Sequence, residues 1–317
     1  MRQSLALRWA FAILAGAGAY AAETATLTAA AQPASPAARQ IDLAYGAYQR
    51  GMYLTAYREA TARLDKTPGD AAAMTLLGEL FNQGLAVRPN AAEAAAWYRL
   101  AAARGDAHAM ATLGLMSMDG RGMPRDLSAG RAWLEKAAAQ REPTAAYNLA
   151  LLLLSDGSDE AAARAARLLD LAAEAEIGDA QHALGVLLSR GQAGLPKDPR
   201  RAAALYLRAA RNGSLAGGIE FAIVQFNGDG IAKDETEAAR HFRRAAARGN
   251  AIAQNRLARL YATGRGVPKS LLETAVWHLL AVGQGLQDPW LDDVLRDLST
   301  EERKRAEQLA AERSGKS

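Results

Sequence analysis

Apolar residues fall at helical spacing along most of the chain, and no segment alternates apolar and polar residues at the strand period. The stretch from Ala107 to Glu142 shows the unit. An apolar run containing Leu113-Gly114 reads as one helix, and Gly120-Arg121-Gly122-Met123-Pro124 reads as a loop. Asp126 then opens a second helix carrying Trp133 and Ala137-Ala138. Pro is confined to the expected loops and termini. The pattern predicts an all-α protein made of helix pairs.

The pair recurs. A small residue of the first helix stands at Gly78, Gly114, Ala150, Gly185, Ala222 and Ala258, with gaps of 36, 36, 35, 37 and 36 residues. A bulky position of the second helix falls at Trp97, Trp133, Leu168, Leu205, His241 and Trp277. Each of the first five bulky positions lies 17 residues before the next small residue, whereas the small-to-bulky distance within a repeat varies from 18 to 20. The second helix and its turn therefore have fixed length, and variation is confined to the loop between the helices. Stacked helix pairs with a free outer loop have this pattern. Small residues let two helix backbones come close. Because Gly inside a helix costs about 1 kcal/mol relative to Ala, its recurrence points to close packing.

On Leu113-Gly114, Trp97-Tyr98, Gly120-Arg121-Gly122, Gly228-Asp229-Gly230 and Gly264-Arg265-Gly266-Val267, the chain resembles the Sel-one-like repeat (SLR) family, relatives of tetratricopeptide repeats. The resemblance implies a right-handed α-α superhelical solenoid and covers six repeats over residues 71–286. Family members mainly present surfaces to other proteins. Three departures stand out. Ser155-Asp156-Gly157-Ser158 lacks the Gly-x-Gly, Ser117 replaces an aromatic residue, and Gly178 lies two residues beyond the turn glycine of other repeats.

The termini read differently. Residues 1–21 resemble a secretory signal, with Arg2 and Arg8, an apolar run from Trp9 to Gly18, and the small-x-small triplet Ala19-Tyr20-Ala21. An uncleaved anchor is the alternative, although the run is short for a membrane span. Residues 22–40, rich in Ala, Thr and Pro, read as a flexible linker. Residues 41–70 resemble a tetratricopeptide-like N-terminal cap, in which Thr61 keeps the 17-residue distance to Gly78. Residues 287–317 read as capping helices and a tail, with Ser299 and Glu302 forming a capping-box signature.

Charge and composition narrow the function. Cleavage after Ala21 leaves 36 basic residues against 34 acidic ones, scattered rather than clustered, so nucleic-acid binding has little support. The chain has no Cys, which excludes thiol catalysis and a disulfide framework and separates it from the Cys-rich branch of the family. His108, His182, His241 and His278 fall in four repeats and make no metal-binding pattern. The Gly-x-Gly pairs follow the structural period and lack the Lys-Ser/Thr of a phosphate loop. No catalytic, cofactor or metal residues are expected.

By resemblance to tetratricopeptide repeats, the first helices line a concave groove at offsets −6, −3, +1 and +4 from the small residue. These positions give His108, Leu115 and Met118; Tyr147, Leu151 and Leu154; His182 and Val186; and Ile219, Ile223 and Phe226. Thr75, Glu79 and Asn82 at one end, and Asn255 and Arg259 at the other, are polar. The expected function is a periplasmic or secreted, non-catalytic scaffold binding a protein segment on the apolar middle. Two alternatives stay open. The superhelix could bury these side chains, or the chain could be an envelope enzyme acting on peptidoglycan or β-lactams. No stable membrane insertion is expected after signal cleavage.

Overall fold

Sixteen α-helices and no strand make up residues 42–315, the part described by the computed structural model. The expected signal and linker lie outside the described residues.

An N-terminal pair, α1 (Leu43–Gln49) and α2 (Tyr53–Lys66), precedes six longer pairs. These are α3 (Ala71–Gln83) with α4 (Ala91–Ala102), α5 (Ala107–Asp119) with α6 (Leu127–Ala139), and α7 (Pro143–Asp156) with α8 (Asp159–Glu174). The array continues with α9 (Gly178–Arg190) and α10 (Pro199–Arg211), α11 (Leu215–Asn227) and α12 (Glu235–Ala247), and α13 (Ala251–Thr263) and α14 (Leu271–Val282). Two further helices, α15 (Pro289–Val294) and α16 (Thr300–Ser314), follow. Each paired helix packs on the next in sequence, and first helices of some neighbouring repeats also touch, as α5 does α7 and α9 does α11. This is the expected all-α solenoid, with the first helices on the tighter side of the curve.

Local sequence explains the helix boundaries. Asn90, Asp126, Asp198 and Asp234 accept hydrogen bonds from backbone N–H groups in the first turns of α4, α6, α10 and α12. Losing such a cap costs about 1 kcal/mol. Ser299 and Glu302 close a capping box at α16.

Each pair is held at its small residue. A Cβ at Gly78 would come within 2.8 Å of the Tyr98 ring, and one at Gly185 within 2.6 Å of the Tyr206 ring. One at Gly114 would stand 3.0 Å from the Gly130 carbonyl and 3.1 Å from Leu134. The core residue facing the small position is thus the one after the expected bulky site. Tyr98, Leu134, Leu169, Tyr206, Phe242 and His278 are all buried there. Burying each of the apolar ones, Leu134, Leu169 and Phe242, contributes roughly 1.5–3 kcal/mol. Trp97, Trp133, Leu168 and His241 are only half-buried, flanking the core, while Leu205 and Trp277 are buried.

Neighbouring repeats are joined in two further ways. The second loop glycine lies on the start of the preceding repeat's second helix. A Cβ at Gly122, Gly230 or Gly266 would overlap the backbone of Ala91, Pro199 or Glu235. In addition, the buried amides of Gln181 and Gln254 donate to the Ala173 and Ala246 carbonyls. Those carbonyls belong to the last turns of α8 and α12, where the i→i+4 ladder ends and a second donor joins the turn N–H of Glu176 or Gly249.

Gly178, two residues beyond the turn as its spacing implies, opens α9, and a Cβ there would stand 2.9 Å from the Asn212 carbonyl. Glu176, at φ 62°, occupies the turn position. Thr61 keeps the 17-residue spacing but does not continue the bulky series. It is exposed, and α2 packs through Ala56 and Ala60.

Candidate protein-binding surface

The first helices bring the predicted positions onto successive rungs of the solenoid. Leu151 on α7 is the most open of the apolar ones, at 37% exposure. Tyr147 and Leu154, at −4 and +3 from it on the same helix, are half-buried. Leu115 and Met118 on α5 are half-buried against the same core, and Ile223 and Phe226 on α11 against the next. Val186 and Ile219 are buried at 8% and 6% exposure and serve as packing residues.

Electrostatics differ from rung to rung. His108 is exposed, with Nδ1 3.7 Å from the Glu142 carboxylate, which holds the imidazole above its ordinary pKa. His182 is half-buried beside the Tyr206 ring, at 6.0 Å between centroids. Burial pushes His182 down, and the Asp179 charge offsets only part of this. Burial, with Asp179 nearby, pushes the Tyr147 hydroxyl up to about 12, so it remains a neutral donor at physiological pH.

The polar ends are engaged within the chain. Glu79 accepts from the Tyr98 hydroxyl at 2.5 Å. At the far end Asp288, buried at the start of α15, accepts from Arg259 at 2.6 and 2.7 Å and from Asn255 at 2.7 Å. Burial alone would raise the Asp288 carboxyl, but the Arg259 and Asn255 hydrogen bonds outweigh it and hold the pKa low. Arg259 also lies 5.0 Å over the Trp290 ring. The capping segment thus seats on the sixth first helix.

Three features escaped the sequence reading. Arg265, from the loop after α13, covers the Phe226 ring at 4.1 Å. Half-buried Glu220 on α11 is raised by burial, with Arg190 and Arg256 pulling the other way. Ile252, 52% exposed on α13, shares the −6 offset of His108, a signal that could have found it. Among the described residues no three or more His, Cys, Asp or Glu side chains could hold a metal ion. No described helix is long and apolar enough to cross a membrane.

The Sel1 repeat family model matches residues 71–106, 107–141, 143–176, 178–214, 222–250 and 251–286. Among solved structures, the chain is similar to a Sel1 repeat protein from Oxalobacter formigenes, with 27% identity and a TM-score of 0.64 over 77% of this chain and 97% of that one. It is also similar to a protective antigen of uropathogenic Escherichia coli displaying an SLR fold, at 21% identity and a TM-score of 0.56. That match covers 83% of this chain and spans 64% of the antigen's length. No curated protein matches the chain. By repeat sequence and by fold, the chain belongs to the Sel1 repeat family, whose repeats mediate protein–protein interaction.

Proposed function

We propose that the protein is an exported, non-catalytic scaffold of the periplasm or extracellular space that binds a protein segment along its first helices. Leu151 carries this reading. It is exposed in the middle of the array, between half-buried Tyr147 and Leu154 on its own helix. An apolar anchor of this kind suits the apolar face of an amphipathic helix or an extended peptide. The export reading rests on Arg2, Arg8, the apolar run and Ala19-Tyr20-Ala21. The enzyme reading, on peptidoglycan or β-lactams, has no observation on its side.

Two experiments test this. Cross-linking in cells followed by mass spectrometry identifies captured proteins, and Leu151→Asp is expected to abolish their capture while circular dichroism and melting stay close to the parent. A folded Leu151→Asp protein with full capture would place the site elsewhere. N-terminal sequencing is expected to begin at Ala22, and an intact Met1 on cytoplasmic protein would overturn export.

A further inference from the structure

The two ends of the solenoid are finished differently. At the C-terminal end, α15 and α16 close the last repeat, with Leu291 and Leu295 buried and Leu298 and Leu309 packed against the core. The outward face of α16 is charged, exposing Glu301, Arg303, Lys304, Arg305 and Glu307. A polar outer face of this kind keeps a repeat array soluble. At the N-terminal end, Leu43, Tyr45, Met52 and Leu54 are 43–56% exposed. They are four of the twelve large apolar residues exposed among the described residues, and all fall within twelve positions. The sequence just upstream, from Ala22 to Ile41, offers only Leu27 and Ile41 as large apolar covers.

The charges on α2 indicate what fits this end. Its exposed stripe runs through Leu54, Arg58, Thr61, Ala62 and Asp65. Arg63, on another side of the helix, is tied to Asp42 at 2.8 Å and to Asp70 at 2.6 Å. Arg58 and Asp65 are exposed, and neither is ion-paired among the described residues. They lie symmetrically about Thr61 and Ala62. A second α2 laid antiparallel across those small residues, about a two-fold axis between them, sets each Arg58 opposite the other copy's Asp65. Arg63 also fixes the start of α1 beside the end of α2. The same register therefore carries Leu54 of each copy towards the Leu43 end of the other.

We propose that this N-terminal face is a self-association surface on which two copies of the chain pack α2 against α2. The assembly leaves the first helices of the six repeats open in both copies and does not depend on what they bind.

Sedimentation equilibrium of the purified full chain, as its cells process it, is expected to show a dimer that dissociates on dilution. Arg58→Asp and Asp65→Arg each place like charges across the axis twice, and each is expected to weaken association roughly tenfold or more. The double variant R58D/D65R restores opposite pairing and should recover most of the loss. Because the chain has no Cys, Ala62→Cys supplies one thiol per copy, and oxidation should link two copies in high yield. Circular dichroism checks that each variant is folded. A monomer at every concentration would overturn the proposal. So would a dimer indifferent to both single charge changes, or one that the double variant fails to restore.

Discussion

Gly266 lies directly on Glu235, so close that a Cβ on the glycine would overlap the Glu235 carbonyl at the start of α12. The adjacent Arg265 donates to the Glu235 carboxylate at 2.5 Å. One loop thus grips the preceding repeat by backbone fit and by charge. Gly264, two residues earlier, has a similar positive φ but meets only the Lys269 side chain and backbone at 3.4 Å or more. Gly264→Ala is expected to cost about 1–2 kcal/mol for the left-handed backbone alone. Gly266→Ala adds a backbone overlap and should cost about 3 kcal/mol or more. Urea denaturation of both variants checks this, and equal losses would assign the whole effect to φ.

The turn after each second helix gives a prediction of opposite sign. Gly105, Gly213, Gly249 and Gly285 hold positive φ there, and in the second repeat the residue is Arg141, at φ 62°. Arg141 is exposed. Its left-handed backbone costs about 1–2 kcal/mol, part of which glycine gives back through greater freedom when unfolded. Arg141→Gly is therefore expected to stabilise the protein by about 0.5–1 kcal/mol and raise its melting temperature.

His182 makes stability depend on pH. Its folded pKa is held below its ordinary 6.5 by burial. Below that value the unfolded chain takes up a proton that the folded chain refuses, so stability falls as pH drops through about 6.5 towards the folded pKa. Above that window His182 contributes no pH dependence. His241 is lowered by burial as well, whereas raised His108 acts in the opposite sense and loses its contribution as pH rises. His182→Gln is expected to shrink, but not remove, the loss between about pH 7.5 and about pH 5.5. Denaturation curves at the two values check it, and an unchanged difference would rule His182 out.

The period, the caps and the variable loops were legible because each depends on residues close together and repeated six times. The residue that faces each small position stands one place beyond the bulky series. Trp97 and Tyr98 are both bulky, and sequence alone does not tell that Tyr98 faces Gly78. The role of Gly178 is hidden for a similar reason: only the Asn212 carbonyl beside it shows why a glycine stands there. The coverage of the surface was hidden by distance along the chain. Arg265 reaches Phe226, and Asp288 reaches Arg259, from about 30 or more residues downstream, and no local pattern announces either contact.

The glycine wedges have a mechanical corollary. They occur where the second repeat meets the first, the fifth meets the fourth and the sixth meets the fifth, but a Cβ at Gly157 in the α7–α8 loop, or at Gly194 in the α9–α10 loop, would meet nothing. The third repeat is therefore hung between two joints without a wedge. At the first of these, Arg131 of α6 bonds Asp156 of α7 at 3.1 Å across a solvent-exposed gap, a link that added salt weakens. The joint between the second and third repeats therefore leans on charge where the wedged joints have backbone fit as well, and its curvature is expected to respond to ionic strength.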